Sequence, residues 1–218
     1  MDTTCTIIGY RPLIDPVSKI GAVFTPVAQR AALERCLDGQ PHAFDFQRQF
    51  LQLNPEGKVP ILVDGQRVLR QSLAIMEYLD ESYPNTARLL LGNNRDRNRI
   101  RGLSQLINSD IAPLVCPRTL RQMANQLGLD EERIAGWRNR CLHTGMAALE
   151  ALMEDNPASR VFSHADTPSM ADICLVAQFH PLEQIYAAEE RYPTISRIYH
   201  ACLALPAFGE AIARHDSA

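Results

Sequence analysis

The chain has 218 residues, enough for one large domain or two small ones. Hydrophobic residues make up 46% and charged residues 22%, which supplies a core and argues against disorder; the net charge of −3 leaves no strong basic field for a nucleic-acid backbone or an anionic membrane. No run of ~18 apolar residues occurs, so no spanning helix is expected. The opening residues carry no early basic cluster and do not read as a secretory leader. The cysteines are Cys5, Cys36, Cys116, Cys141, Cys174 and Cys202. They form no CxxC pair, and their spacings suit no zinc site. Three fall inside apolar helical patterns, as buried thiols do, and a reducing cytoplasm is the simplest home. The histidines form no HExxH, so no metal is expected.

Up to about residue 85, short β-like runs alternate with helical ones. Residues 20–24 are one candidate first strand, and 6–10 are a rival for the same place. Residues 26–37 read as a helix, with apolar Val27, Ala31, Leu33 and Leu37 and a stop at Asp38-Gly39. Residues 42–46 are weakly β-like. Residues 59–63 form an apolar strand, Asp64-Gly65 a turn, and 66–69 the returning strand. Residues 72–83 are a helix with Leu73, Met76 and Leu79 on one face. The order β, α, β, β-hairpin, α is a small α/β unit over residues 1–84. Beyond the turn-rich stretch 83–94 the pattern is helical: 95–109, 117–127, 130–154, 169–179 and 195–205. In the longest, Ile134, Trp137, Cys141, Gly145, Ala148 and Leu152 form a stripe expected at the centre of a bundle. Ser169 and Asp172 are spaced as a capping box. Residues 95–218 therefore read as an all-α domain.

The segment from Leu53 to Gly65, followed by Gln71 to Leu79, carries the chemistry. Pro60 opens a strand, at an edge or a bend. If the Val59–Pro60 bond is cis, the backbone of Val59 turns outward, and its N–H and C=O can pair with an extended peptide laid alongside. Ser72 stands at a helix start, where a hydroxyl and free N–H groups attract a carboxylate. Gln71 beside it can accept from an ammonium. Together they suit the zwitterionic α-amino-acid end of a small peptide.

These motifs, NPEGKVP at 54–60 and QSLAIMEYL at 71–79, resemble the glutathione transferase superfamily. The run Met170 to Val176 with Gln178, and Tyr192-Pro193-Thr194-Ile195, are most similar to its zeta class of maleylacetoacetate and maleylpyruvate isomerases. The resemblance covers nearly all of the chain past residue 20. It implies a thioredoxin-like N-terminal domain, a helical C-terminal domain, a homodimer, and glutathione as cofactor. The tripeptide would be held by Val59, Pro60, Gln71 and Ser72, with Lys58 near its glycyl carboxylate.

The family's chemistry needs the glutathione sulfur as its thiolate, although a free thiol has a pKa of ~8.5. A hydroxyl donor at a helix start favours the anion. Thr25-Pro26-Val27-Ala28-Gln29-Arg30 resembles the family's first helix start and would put Thr25 at that position. A rival register, Asp15-Pro16-Val17-Ser18-Lys19, would bring Ser18 near the site but place Asp15 where a carboxylate repels a thiolate. The family's serine-rich motif is absent. In the helical domain the zeta pattern D-I-H-P-L-N-N-L-R has become Asp110-Ile111-Ala112-Pro113-Leu114-Val115-Cys116-Pro117-Arg118, and an arginine expected near 182–185 is missing. Ala112, Val115 and Cys116 make the substrate pocket more apolar, while Arg118 and Arg121 remain as cationic candidates for a substrate carboxylate. The expected function is a glutathione-dependent transferase or isomerase acting on a small electrophile. A non-catalytic scaffold of the same fold is the alternative. A thiol–disulfide oxidoreductase is disfavoured, since no cysteine stands at the first helix start.

Overall fold

The computed structural model describes residues 5–7, 50–58, 60–64, 66–183 and 188–216. The candidate strand 20–24, the helix 26–37 and the weak strand 42–46 lie outside them. Two compact units emerge: residues 1–89 with 203–218, and residues 90–202.

In the first unit, β1 (Cys5–Ile7), β2 (Ile61–Asp64) and β3 (Arg67–Arg70) form an antiparallel sheet in that order. Cys5 lies opposite Asp64 and Ile7 opposite Leu62, so residues 5–7, which overlap the start of the 6–10 candidate, take the place beside β2; residues 8–10 lie outside the described residues. Asp64 pairs with Arg67, which leaves two residues for the hairpin turn. Strand β2 starts after Pro60, which has no N–H to give the ladder. Helix α1 (Ser72–Ser82) lays Ile75 and Leu79 against Leu62, with Leu69, Tyr78 and Tyr83 packed around them. Two buried carboxylates fasten it. Asp64 accepts from the hydroxyls of Tyr78 and Tyr83, the latter at 3.2 Å. Asp80 accepts from Leu89 N at 2.6 Å and meets Arg88 at 3.3 Å.

The second unit begins with α2 (Asn94–Gln105), closed by a reciprocal capping box between Asn93 and Asp96. The sequence predicts one helix over 95–109. Instead, the α form gives way to a π-helical stretch at Leu106–Ile111, followed by the single turn α3 (Ala112–Val115). Ala112 N bonds back to Ile107 O, and Pro113 lacks the N–H that an α-helix would bond to Ser109 O. Ile111, at the end of that stretch, sits so close to α5 that a methyl group on Gly145 would collide with it. Helix α4 (Pro117–Leu127) has the bounds that the periodicity predicts, and Asp130 caps α5 (Glu131–Glu154) by accepting from Arg133 N at 2.9 Å.

The stripe read for α5 is not its core face. Trp137 and Leu152 are 40% and 53% exposed, and the buried line is Leu142, Met146, Leu149 and Met153. Both lines satisfy a 3.6-residue period, and only the packing partners choose between them.

Helix α6 (Met170–Glu183) is buried from Met170 to Val176. At its start, Ser169 N and Oγ both donate to Asp172 at 2.7 Å, and Ser163 N donates to the other carboxylate oxygen at 2.7 Å. The predicted box is thus half reversed: the serine hydroxyl donates to the carboxylate. Burial holds the Asp172 carboxyl above its ordinary range even against these donors. Arg99 of α2 ties the preceding loop down, donating to Ser163 O at 2.6 Å and Ser159 Oγ at 2.8 Å. The short α7 (Ala188–Arg191) and α8 (Pro193–Leu203) complete the unit, with Glu150 of α5 capping α8 through Thr194 N and Ile195 N at 2.6 and 2.8 Å. The final helix α9 (Pro206–Asp216) groups with the first unit. The predicted helix 195–205 ends two residues early because Leu205 O accepts from Phe208 N and Gly209 N to start α9.

Candidate functional site

The candidate headgroup site is built from a loop and a helix start of the first unit. A helical turn closes at residues 50–53, and buried Asn54 then organises the loop. Its Nδ2 donates to Lys58 O at 2.6 Å, its Oδ1 accepts from Glu56 N at 3.2 Å, and its carbonyl accepts from Gly57 N at 2.9 Å. Gly57 adopts φ +63, a left-handed conformation that glycine takes without a steric penalty. Arg70, at the end of β3, donates Nε to Leu53 O at 2.7 Å, and its terminal nitrogen reaches the same carbonyl. That clamp holds the loop beside the start of α1.

Gln71 precedes α1 at φ +70 and ψ 116, a region costly for a residue with a side chain. It provides no side-chain cap. Ile75 N bonds to Gln71 O at 2.9 Å, so the first-turn N–H groups before it, beside the half-buried Ser72, have no intrahelical acceptor. Gln71 Nε2 donates to Glu56 Oε2 at 3.4 Å, and Lys58 Nζ stands 3.8 Å from the same oxygen. The structure therefore brings Lys58, Gln71 and Ser72 to one edge. Pro60 is buried at the foot of β2.

In the second unit, Ala112 and Val115 bound the single turn α3, and both are partly buried. Cys116 caps α4: its Sγ accepts from Thr119 N at 3.5 Å and lies 3.1 Å from Thr119 Oγ1. Trp137 Nε1 donates to Leu114 O at 3.1 Å, pinning the end of α3 to α5. Arg118 and Arg121 are exposed on α4, one turn apart.

Residues 20–87 match the model of the glutathione S-transferase N-terminal domain. The chain is 38% identical over 175 residues to the maleylacetoacetate isomerase of Pseudomonas aeruginosa PAO1, covering 80% of this chain and 78% of that one. It superposes with a TM-score of 0.74, at 30% identity over 91% of this chain and 92% of that one, on a holo maleylpyruvate isomerase described as a bacterial zeta-class glutathione S-transferase. A maleylacetoacetate isomerase from Anaeromyxobacter dehalogenans 2CP-1, solved with GSH in its active site, gives 0.70 at 27% identity over 96% of each chain. The chain belongs to the zeta-class-like glutathione transferases.

For a member of this family, the thioredoxin-like unit and the helical unit are the expected pair. The hydroxyl candidates Thr25 and Ser18 lie outside the described residues, as does Val59. The sequence motifs assign no role to Asn54, Glu56 or Arg70. The acidic residue inside the NPEGKVP motif was the available signal for Glu56. Nothing in the sequence marks Arg70, because its partner is a backbone carbonyl 17 residues away. Among the described residues no group of three or more His, Cys, Asp or Glu could hold a metal ion, and no helix is long and apolar enough to cross a membrane.

Proposed function

We propose that the chain is a glutathione-dependent enzyme acting on a small electrophile, as a transferase or as a cis–trans isomerase. The observation that carries this is the start of α1. Gln71 is held at φ +70 with no side-chain cap, next to Ser72, and Lys58 stands on the adjoining loop. The relatives named above, one solved with GSH in its active site, supply the family context. The donors fit a tripeptide with a zwitterionic head and a carboxylate tail. In this reading Ser72 and the first-turn N–H groups take the head carboxylate. Gln71 takes the ammonium, the Val59 backbone pairs with the peptide beside Pro60, and Lys58 faces the glycyl carboxylate.

Bound glutathione supplies a nucleophilic sulfur to the electrophilic carbon of the substrate. The chain's part is to hold that sulfur as its anion through a hydroxyl donor. Two residues compete for the role. The family-model match from residue 20 supports Thr25, and the placement of Cys5–Ile7 beside β2 supports the register of Ser18. Ala112, Val115 and Cys116 give the substrate an apolar wall, and Arg118 and Arg121 serve a substrate carboxylate. We also propose a homodimer in a reducing cytoplasm, in keeping with the family and with the free thiols Cys141, Cys174 and Cys202.

The test passes the purified protein over immobilised glutathione, then assays a chloro-aromatic electrophile and a cis-enone diacid. Retention, with turnover of either substrate, is expected. Thr25→Ala is expected to lose rate while keeping retention; if Ser18→Ala does so instead, the register is the other one. No retention together with no turnover would leave a scaffold of the same fold.

A further inference from the structure

Glu56 is the residue near the headgroup site that the proposed function leaves without a task. One of its carboxylate oxygens, Oε2, lies 3.4 Å from Gln71 Nε2 and 3.8 Å from Lys58 Nζ. Lys58 is assigned above to the tripeptide's glycyl carboxylate, and Gln71, through its amide oxygen, to the ammonium. Sharing one oxygen draws them to within two contact lengths of each other. The Glu56 carboxylate and the tripeptide's glycyl carboxylate compete for one ammonium group, Lys58 Nζ.

The loop backbone does not have to move for the contact to open, because it is held from below. Asn54 fixes Glu56 N and Lys58 O, and Arg70 fixes Leu53 O. The side chains of Glu56 and Lys58 are 52% and 59% exposed, so each swings into water at little cost.

We propose that Glu56 is an internal competitor for glutathione. Its carboxylate occupies Lys58 and Gln71 in the free protein and is displaced when the tripeptide's carboxylate takes Lys58. Glu56 thereby sets the affinity for glutathione without touching the reacting atoms. This rests on the reading of the start of α1 as the headgroup site.

Calorimetric titration of the wild type and Glu56→Gln with glutathione tests it, alongside glutathione esterified at its glycyl carboxylate. An exposed ion pair shifts an equilibrium by a few-fold. Glu56→Gln is therefore expected to bind glutathione about 3- to 5-fold tighter at low ionic strength, with the gain shrinking in high salt. It should lower KM for glutathione and leave kcat unchanged. The ester, which has no carboxylate for Lys58, should show no gain. Equal or weaker binding by Glu56→Gln, or an equal gain with the ester, overturns the competitor role while the headgroup reading stands. No heat of binding in either protein overturns both.

Discussion

Helices α1 and α6 face the same electrostatic problem at their starts and solve it in opposite ways. Each first turn presents backbone N–H groups and the positive end of a helix dipole. At α6 the chain supplies its own anion: Asp172 is buried and accepts from Ser163 N, Ser169 N and Ser169 Oγ, all at 2.7 Å. At α1 the preceding Gln71 offers no cap and is held at φ +70. Helices α2, α4, α5 and α8 also receive side-chain acceptors, from Asn93, Cys116, Asp130 and Glu150. A satisfied helix start is a fastening, whereas a helix start denied its own cap is suited to an anion from outside.

The comparison breaks most visibly at Asp172. Replacement by alanine leaves three buried donors without an acceptor, so Asp172→Ala is expected to lose at least about 3 kcal/mol in urea unfolding, or to fail to fold. A loss under 1 kcal/mol would show that the α6 start is not a fastening. Next comes Ser72→Ala. It should weaken glutathione binding about tenfold or more, as loss of a hydrogen bond to a charged group does, while unfolding stability changes by less than about 1 kcal/mol. The opposite split would make α1 an ordinary helix start. Gln71→Gly sharpens the contrast, because glycine accepts φ +70 without strain: a gain of about 1 kcal/mol in thermal or urea unfolding should accompany loss of glutathione affinity. The smallest effect concerns the thiols of the helical unit. Burial pushes Cys174 up to about 12 and raises Cys202 further, so a thiol reagent at pH 8 should label the half-buried Cys116 and Cys141 and spare these two until the protein unfolds.

Much of this architecture is local enough to be legible in the sequence. The bounds of α4 follow from Pro117 at its start and Gly128 at its end, a left-handed position at φ +62. The hairpin carried over with its turn one residue later than predicted, since Asp64 still belongs to the strand and pairs with Arg67, and the spacing of Ser169 and Asp172 carried over as well, because each is a local rule. What failed was what local rules leave undecided. Trp137 has the right period for a core face but stands exposed, while Leu142, Met146, Leu149 and Met153 have the same period and are buried. The helix predicted over 95–109 turns π-helical from Leu106, since apolar periodicity does not report a hydrogen-bond slip of one residue. Of the candidate site, the motif names Lys58, Gln71 and Ser72; the contacts of Arg70 and Glu56 are not written in it, because both depend on loop and strand meeting in space.

By itself the order of residues determined the family, the α/β start followed by helices, and the polar groups suited to a tripeptide's head. Folding decided which face of α5 is interior, which way the Ser169 hydroxyl donates, and that one oxygen of Glu56 serves both Lys58 and Gln71. The reason is range: caps, turns and periodicity act over a few residues and are written locally, whereas burial and shared contacts depend on segments distant in the chain.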